Sequence, residues 1–276
     1  MDESRTSGFQ RVLEGKNALV IGGGGGGIGR AITRGLASAG SAVGVADVDQ
    51  QRADEAVAEA AAAGAKAVSL TGDVRSRDDI DGLVSRAARE LGGLDILVTV
   101  VGGQMAFVPA APLHEIADED WDLMFDLNLR YVAQAIRATL RVFLAQGAGG
   151  TIVSVGSITG IAGSPMQAAY GAAKAGLASL ARSVAAEYNR DRIRMNVLAC
   201  GAIATPVAHA AKADAATDWI PMGRSGSSDE VADATVFLAS PLSAYISGQS
   251  LVIDGGATAV GPFPIRQAEI RTPLSS

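Results

Sequence analysis

Disulfide chemistry is absent from this sequence. The chain has one cysteine, Cys200, so no internal disulfide can form, and a reducing compartment is expected. Histidine is almost as scarce: His114 and His209 lie far apart and form no ligand cluster, so no metal is expected. No run approaches the ~20 apolar residues of a membrane span. The opening MDESRTSGFQ is polar and lacks the apolar core of a secretory signal. The net charge is −6 and no block of basic residues occurs, which argues against nucleic acid and anionic membrane surfaces as partners. A cytoplasmic protein acting on a small molecule is the expectation.

What is present is apolar and alternating. Apolar residues make up 48% of the chain and charged ones 19%, a globular rather than disordered balance. Short β-branched runs at 16–21, 42–46, 65–70, 94–101, 150–155, 192–198 and 250–253 predict strands. Several are apolar almost throughout (ALVI, ILVTVV, TIVSV), the pattern of parallel strands covered on both faces. Helical spacing fills 27–39, 50–63, 76–91, 120–146, 164–188 and 228–239. Ser76-Arg77-Asp78-Asp79 and Ser227-Ser228-Asp229-Glu230 read as helix starts, the second as a capping box. The alternation predicts one doubly wound α/β domain of Rossmann type, with a mainly parallel seven-stranded sheet. It would occupy 16–260, between extensions at 1–15 and 261–276.

The first turn of that domain is LVIGGGGGGIGRA, Leu19 to Ala31. A glycine-rich turn between strand and helix lets backbone N–H groups approach a pyrophosphate, which the helix N-terminus also attracts. Two templates fit: Gly23, Gly27 and Gly29 as G-x-x-x-G-x-G, or Gly24, Gly26 and Gly29 as G-x-G-x-x-G. Six glycines in a row satisfy nearly any template, and a flexible turn is the plain alternative. Gly22, Gly24, Gly25 and Gly26 have no backbone role that the sequence reveals. Asp47 closes the second strand 20 residues after Gly27, where a carboxylate can accept from ribose hydroxyls and would repel a 2′-phosphate. Arg30 and Arg52 are the nearest cations. NAD is therefore expected over NADP.

Tyr170-Gly-Ala-Ala-Lys174 sets a phenol and an ammonium four residues apart on one helical face. A cation beside the phenol and an oxidised nicotinamide would both favour phenolate and make an acid–base group usable nearer neutrality. Ser157 stands 13 residues before the tyrosine, and Asn128 lies in DLNLR. With these residues the chain resembles the short-chain dehydrogenase/reductase family from about Lys16 to Gly256. The resemblance implies a reversible hydride transfer between a nicotinamide and a carbinol or carbonyl carbon. In it Tyr170 exchanges the proton at the substrate oxygen, Ser157 polarises that oxygen, Lys174 lowers the tyrosine pKa and binds ribose, and Asn128 supports a proton relay. It also implies cofactor contacts from Gly23, Gly27, Ile28, Gly29 and Asp47, and from Asp73 and Val74 at the adenine. Gly102 would admit the nicotinamide ribose, and Ile203 and Thr205 the carboxamide. Homotetramers built on the helices at 120–146 and 164–188 are implied too.

Three features depart from the family pattern: Gly22-Gly23 for threonine-glycine, Thr99-Val100-Val101-Gly102 for Asn-Asn-Ala-Gly, and Cys200-Gly201 for proline-glycine. The first loses a hydroxyl brace and the second an amide network. Cys200 reads as a small apolar substitute. Substrate walls are expected at 206–224 (His209, Trp219, Ile220, Met222) and 103–113 (Met105, Phe107, Val108). The expected substrate is an apolar secondary alcohol or ketone, cyclic ones included. The alternatives are an NADPH-dependent 3-oxoacyl-thioester reductase and a catalytically silent dinucleotide sensor.

Overall fold

Along β1 (Asn17–Ile21), Ala18 and Val20 bury into one core and Leu19 and Ile21 into another. This period-two alternation repeats in β4 (Ile96–Thr99), where Ile96 and Val98 oppose Leu97. It repeats again in β5 (Gly150–Ser157), where Val153 and Val155 oppose Ile152. A strand apolar on both faces needs helices on both, and the chain supplies them. The first core receives α1 (Ile28–Ser38) and α2 (Gln50–Ala62), through residues such as Ile32, Leu36, Ala53 and Ala56. The second receives α3 (Arg77–Leu91) and α5 (Tyr131–Gln146), through Ile80, Leu83, Ile136 and Phe143. It also receives α6 (Ala168–Tyr188), through Leu177 and Val184. Each fully buried aliphatic or aromatic side chain contributes about 1.5–3 kcal/mol of transfer free energy.

The coordinates are a computed structural model, which describes residues 11–104, 106–206 and 217–260. The remaining strands are β2 (Ala42–Asp47), β3 (Ala67–Thr71), β6 (Ile193–Cys200), the two-residue β7 (Ile203–Ala204) and β8 (Gly226–Ser227), and β9 (Ser250–Ile253). A short α4 (Asp118–Phe125) precedes α5, and α7 (Ser228–Ala239) joins the first core through Val231 and Val236. The seven-stranded sheet has the order β3-β2-β1-β4-β5-β6-β9, and every pairing is parallel. The expected doubly wound sheet is therefore present, with β7 pairing β8 as a small unanticipated ribbon. The winding reverses between β1 and β4, which opens a crevice at their carboxyl ends. No helix among the described residues is long and apolar enough to cross a membrane.

Several boundaries differ from expectation for local reasons. Residues 94–101 read as one strand, yet β4 keeps only its middle. Gln146 takes both the N–H and the carbonyl of Leu94, at 2.9 and 2.7 Å, and the Tyr131 hydroxyl donates to Val101 O at 2.8 Å. At the other extreme β5 and β6 run further, to Ser157 and Cys200, which lie opposite each other in register. Ser157 is thus the last residue of its strand. The helix expected from 164 begins at Ala168, so Tyr170 lies in its first turn. Leu13 is fully buried in the first core, ahead of β1.

Both predicted caps form. The Ser76 hydroxyl accepts from the Asp79 N–H at 3.2 Å. Ser227 accepts from Glu230 N–H at 3.2 Å, while Glu230 accepts from Ser227 N–H at 2.8 Å. The Arg224 guanidinium and then the Ser227 N–H hold the Glu230 carboxyl at about 2, against an ordinary 4.5. A carboxylate depressed in the folded state stabilises above its unfolded pKa, and that contribution disappears as pH falls through the folded value. Denaturation of wild type and Glu230→Gln should therefore differ most above about pH 4.5, the gap closing toward about pH 2. A gap independent of pH would contradict this account of α7's start.

Candidate active site

The glycine turn is built by close approaches that the sequence does not reveal. A Cβ on Gly29 would lie 1.9 Å from Gly22 O, so the first turn of α1 passes directly over the end of β1. Gly22 itself needs φ +91, a left-handed conformation, and packs against Val101. Gly24 abuts the α2 backbone at Arg52 and Ala53, where a Cβ would come within 2.8 Å. Gly22 and Gly24 thus do have backbone reasons. For Gly25 and Gly26 the structure supplies none: their nearest neighbours would be 3.8 and 3.9 Å away. The hydroxyl missing from position 22 is replaced from another element, since Thr33 Oγ1 on α1 donates to Gly23 O at 3.1 Å.

α1 starts at Ile28 with Gly27 as its cap and no side-chain hydrogen bond there. Among the described residues, the N–H groups of Ile28 and Gly29 meet no backbone acceptor. Two donors at a helix N-terminus, with no side-chain hydrogen bond at the cap, suit a phosphate oxygen. Thr205 stands opposite: its Cγ2 would be 3.2 Å from a Cβ on Gly27. Ile203 is held nearby by β7–β8 pairing.

At the end of β2, Asp47 is 8% exposed and its Oδ1 accepts from the Asp49 N–H at 3.1 Å and from Arg52 Nη2 at 2.9 Å. The cation that seemed merely near in sequence is thus paired with the candidate ribose acceptor. Asp73 follows β3, with Val74 beside it in the second core's margin. The Arg75 guanidinium beside Asp73 holds its carboxyl below the usual range.

Beyond β4, Gly102 has φ +145, and a Cβ there would strike Asn128 Oδ1 at 2.5 Å and Lys174 Nζ at 3.1 Å. Asn128 is fully buried in what was expected to be an unbroken helix. Instead residues Asp126–Arg130 form one wide π turn, in which the Tyr131 N–H reaches back five residues to Asp126 O. The Asn128 side chain is tied into this turn. Asn128 Nδ2 donates to Met124 O at 3.0 Å, the carbonyl its own N–H would normally use, and to Gly103 O at 3.2 Å. Its Oδ1 accepts from Gly103 N–H at 2.9 Å. A local widening of a helix around a polar side chain often marks a functional position.

The amide network lost from strand four is replaced by hydroxyls. Thr99 Oγ1 donates to Ser154 Oγ at 2.9 Å, and Tyr131 holds Val101 O just before Gly102. Burial raises the pKa of the Tyr131 phenol, so it remains a donor. Thr33, Thr99, Ser154 and Tyr131 were missed because their partners are distant in sequence. The available signal was only a hydroxyl on an otherwise apolar face.

Ser157, Tyr170 and Lys174 come together where β5 meets α6. Lys174 Nζ donates to Val155 O at 3.0 Å and lies 5.6 Å from the centre of the Tyr170 ring. Burial pushes the Tyr170 phenol up to about 12, and a hydrogen bond with Ser157 pulls the other way. Burial also draws Lys174 down to about 8. The lowering of the tyrosine expected from the lysine does not appear in the chain alone, where loss of solvent dominates. Cys200, opposite Ser157, is buried and pushed up to about 12, a protonated apolar filler at neutral pH.

The substrate side is partly described. Val108, Met124 and Ala169 form a small apolar cluster that packs against Tyr170. Phe107, Trp219 and Met222 are substantially exposed, whereas Ile220 is buried. Met105 and His209 lie outside the described residues. Gln104, which the sequence did not single out, joins the two lips: its Nε2 donates to Met166 O at 3.0 Å and to Pro109 O at 3.3 Å.

The chain is similar to known proteins over most of its length. A family profile described as enoyl-(acyl carrier protein) reductase matches residues 23–258. The cis-4-hydroxycyclohexanecarboxylate dehydrogenase of Sinomonas cyclohexanicum is 39% identical over 248 residues, covering 89% of this chain and 98% of that protein. A 3-oxoacyl-[acyl-carrier-protein] reductase of Thermotoga maritima is 35% identical over 247 residues, covering 88% and 98%. The crystal structure of a short-chain type dehydrogenase/reductase from Mycobacterium marinum superposes with a TM-score of 0.82 at 32% identity, over 91% of this chain and 98% of that one.

Proposed function

The chain belongs to the short-chain dehydrogenase/reductase family of oxidoreductases, and from that premise we propose that it interconverts apolar secondary alcohols, cyclic ones included, and their ketones with NAD(H). One observation carries the reading: the Tyr170 phenol, the Ser157 hydroxyl and the Lys174 ammonium converge beside Gly102, across the crevice from the glycine turn. A bound nicotinamide dinucleotide supplies the hydride acceptor or donor at its ring C4. The N–H groups of Ile28 and Gly29, which meet no backbone acceptor among the described residues, would hold its pyrophosphate, and Lys174, beside Gly102, would hold its ribose.

Tyr170 exchanges the proton at the substrate oxygen, and Ser157 donates a hydrogen bond to that oxygen. The phenol, its pKa raised by loss of solvent, is held protonated, ready to donate in ketone reduction at neutral pH. Alcohol oxidation needs the phenolate and therefore rises with pH. Lys174, near 8, is mostly charged at neutral pH and steadies negative charge on the tyrosine oxygen. Asn128, fixed between Met124 and Gly103, lies beside Lys174 and is suited to relay the proton outward.

The apolar cluster against Tyr170 supports an apolar substrate. The relative named for a hydroxycyclohexanecarboxylate, itself a cyclic secondary alcohol, supports a ring. Asp47 supports NAD, because a carboxylate repels a 2′-phosphate. A second reading has its own observation: the Arg52 guanidinium, 2.9 Å from Asp47, could instead receive that phosphate. It favours NADPH and a 3-oxoacyl thioester, the substrate named for the Thermotoga relative. Turnover of a panel of cyclic and acyclic secondary alcohols, ketones and a 3-oxoacyl thioester with both cofactors separates them. Faster turnover of cyclic alcohols with NAD is expected; preference for NADPH and the thioester would replace the first reading by the second.

A further inference from the structure

We propose that Thr159 is a positioning residue for proton transfer, one that fixes Ser157 as a hydrogen-bond donor toward the reacting oxygen. The proposal rests on the reading just given. Ser157 ends β5, and a single turn, Ile158–Gly160, follows it. Within that turn Thr159 faces back on the serine twice. Its N–H donates to Ser157 Oγ at 3.2 Å and its Oγ1 donates to the same oxygen at 3.0 Å. A hydroxyl oxygen has two lone pairs and one hydrogen. With both lone pairs occupied, Ser157 can act only by donating its hydrogen.

That polarity matters because the phenol competes for it. A Ser157 oxygen with a spare lone pair could accept from the Tyr170 O–H and hold the proton that the substrate oxygen needs. A serine restricted to donation stabilises negative charge, whether on the substrate oxygen or on the phenolate. The direction agrees with the downward pull that Ser157 exerts on the Tyr170 phenol.

The turn holding Thr159 is seated on the helix that carries the other two groups. Gly160 meets the α6 backbone so closely that a Cβ would lie 2.8 Å from Lys174 C and Ala175 N. A Cβ on Gly171, the residue after Tyr170, would lie 2.9 Å from Thr159 O. Two bare Cα positions thus let one turn contact α6 beside both Tyr170 and Lys174. The seat fixes Thr159, and Thr159 in turn fixes the serine.

The test compares Thr159→Val, which keeps the β-branched shape without the donor, with Thr159→Ser, which restores the donor without the methyl group. On a secondary alcohol that wild type oxidises, the valine variant should lose about tenfold in kcat, the scale of one hydrogen bond realised in the transition state. Its KM and its affinity for NAD should change little, and its kcat–pH profile should shift to higher pH. The serine variant should recover both kcat and the profile. Should valine unfold the turn, as a melting curve would reveal, Thr159→Ala is measured in its place. Unchanged kcat and profile would overturn the proposal, as would a serine variant no faster than valine or a loss confined to KM. If wild type turns over and Tyr170→Phe does not while the valine variant is unaffected, only the role of Thr159 falls. If wild type oxidises no secondary alcohol with either cofactor, the enzymatic reading fails and takes this inference with it.

Discussion

Replacing Tyr170 by phenylalanine should reduce turnover by roughly 10²–10⁴-fold, the usual weight of a positioned acid–base group, while dinucleotide binding and melting temperature stay near wild type. Tyr170 is partly buried and packs against Val108, Met124 and Ala169, contacts that phenylalanine preserves. What the substitution removes is the oxygen near Ser157 that, in the proposed function, exchanges its proton with the substrate oxygen. The residual rate should also lose its dependence on pH, because the group whose ionisation limits alcohol oxidation is gone. Steady-state rates across pH, with NAD affinity measured by fluorescence, check this. A phenylalanine variant that retained wild-type kcat would remove Tyr170 from the mechanism.

Gly29→Ala should be as severe by a different route. Its Cβ would lie 1.9 Å from Gly22 O and 2.9 Å from Gly22 C, both backbone atoms that no rotamer can move aside. Gly22 is itself confined by its positive φ and by Val101, so α1 must shift as a body. The cost is on the order of 3 kcal/mol of stability. The displaced Ile28 and Gly29 N–H groups should weaken dinucleotide binding by about two orders of magnitude. Gly26→Ala is the control, since its Cβ would have nothing nearer than Pro206 Cγ at 3.9 Å. That variant should fold as stably as wild type. Denaturant melts and NAD titration read both; equal stability of the Gly29 and wild-type chains would contradict the packing described for the turn.

Much of this architecture was legible because it rests on short-range pattern. The two-sided apolar runs required a covered parallel sheet, and the Ser227–Glu230 spacing specified its capping box. Spacing also sufficed for Tyr170 and Lys174, one helical turn apart, and for Ser157 at a strand end. What stayed hidden depends on contacts between distant segments. The need for glycine at position 24 arises from α2, the brace on Gly23 from Thr33, and the Asp47 ion pair from the direction Arg52 takes off α2. Asn128 was recognised as a residue, yet the π turn around it was not, because that turn and the bond from its side chain to Met124 O are properties of the folded helix. The electrostatics of the pair were only partly legible for the same reason. Sequence shows that a cation is near the phenol, whereas burial, which here acts more strongly on both groups, is a property of the assembled sheet and helices.

The most direct measurement follows the hydride itself. A cyclic secondary alcohol deuterated at its carbinol carbon is incubated with NAD and wild type, and the reduced cofactor is analysed for label at nicotinamide C4. Label should arrive in step with ketone formation and fall to background with Tyr170→Phe. Unlabelled reduced cofactor, or equal labelling by the phenylalanine variant, would contradict the account.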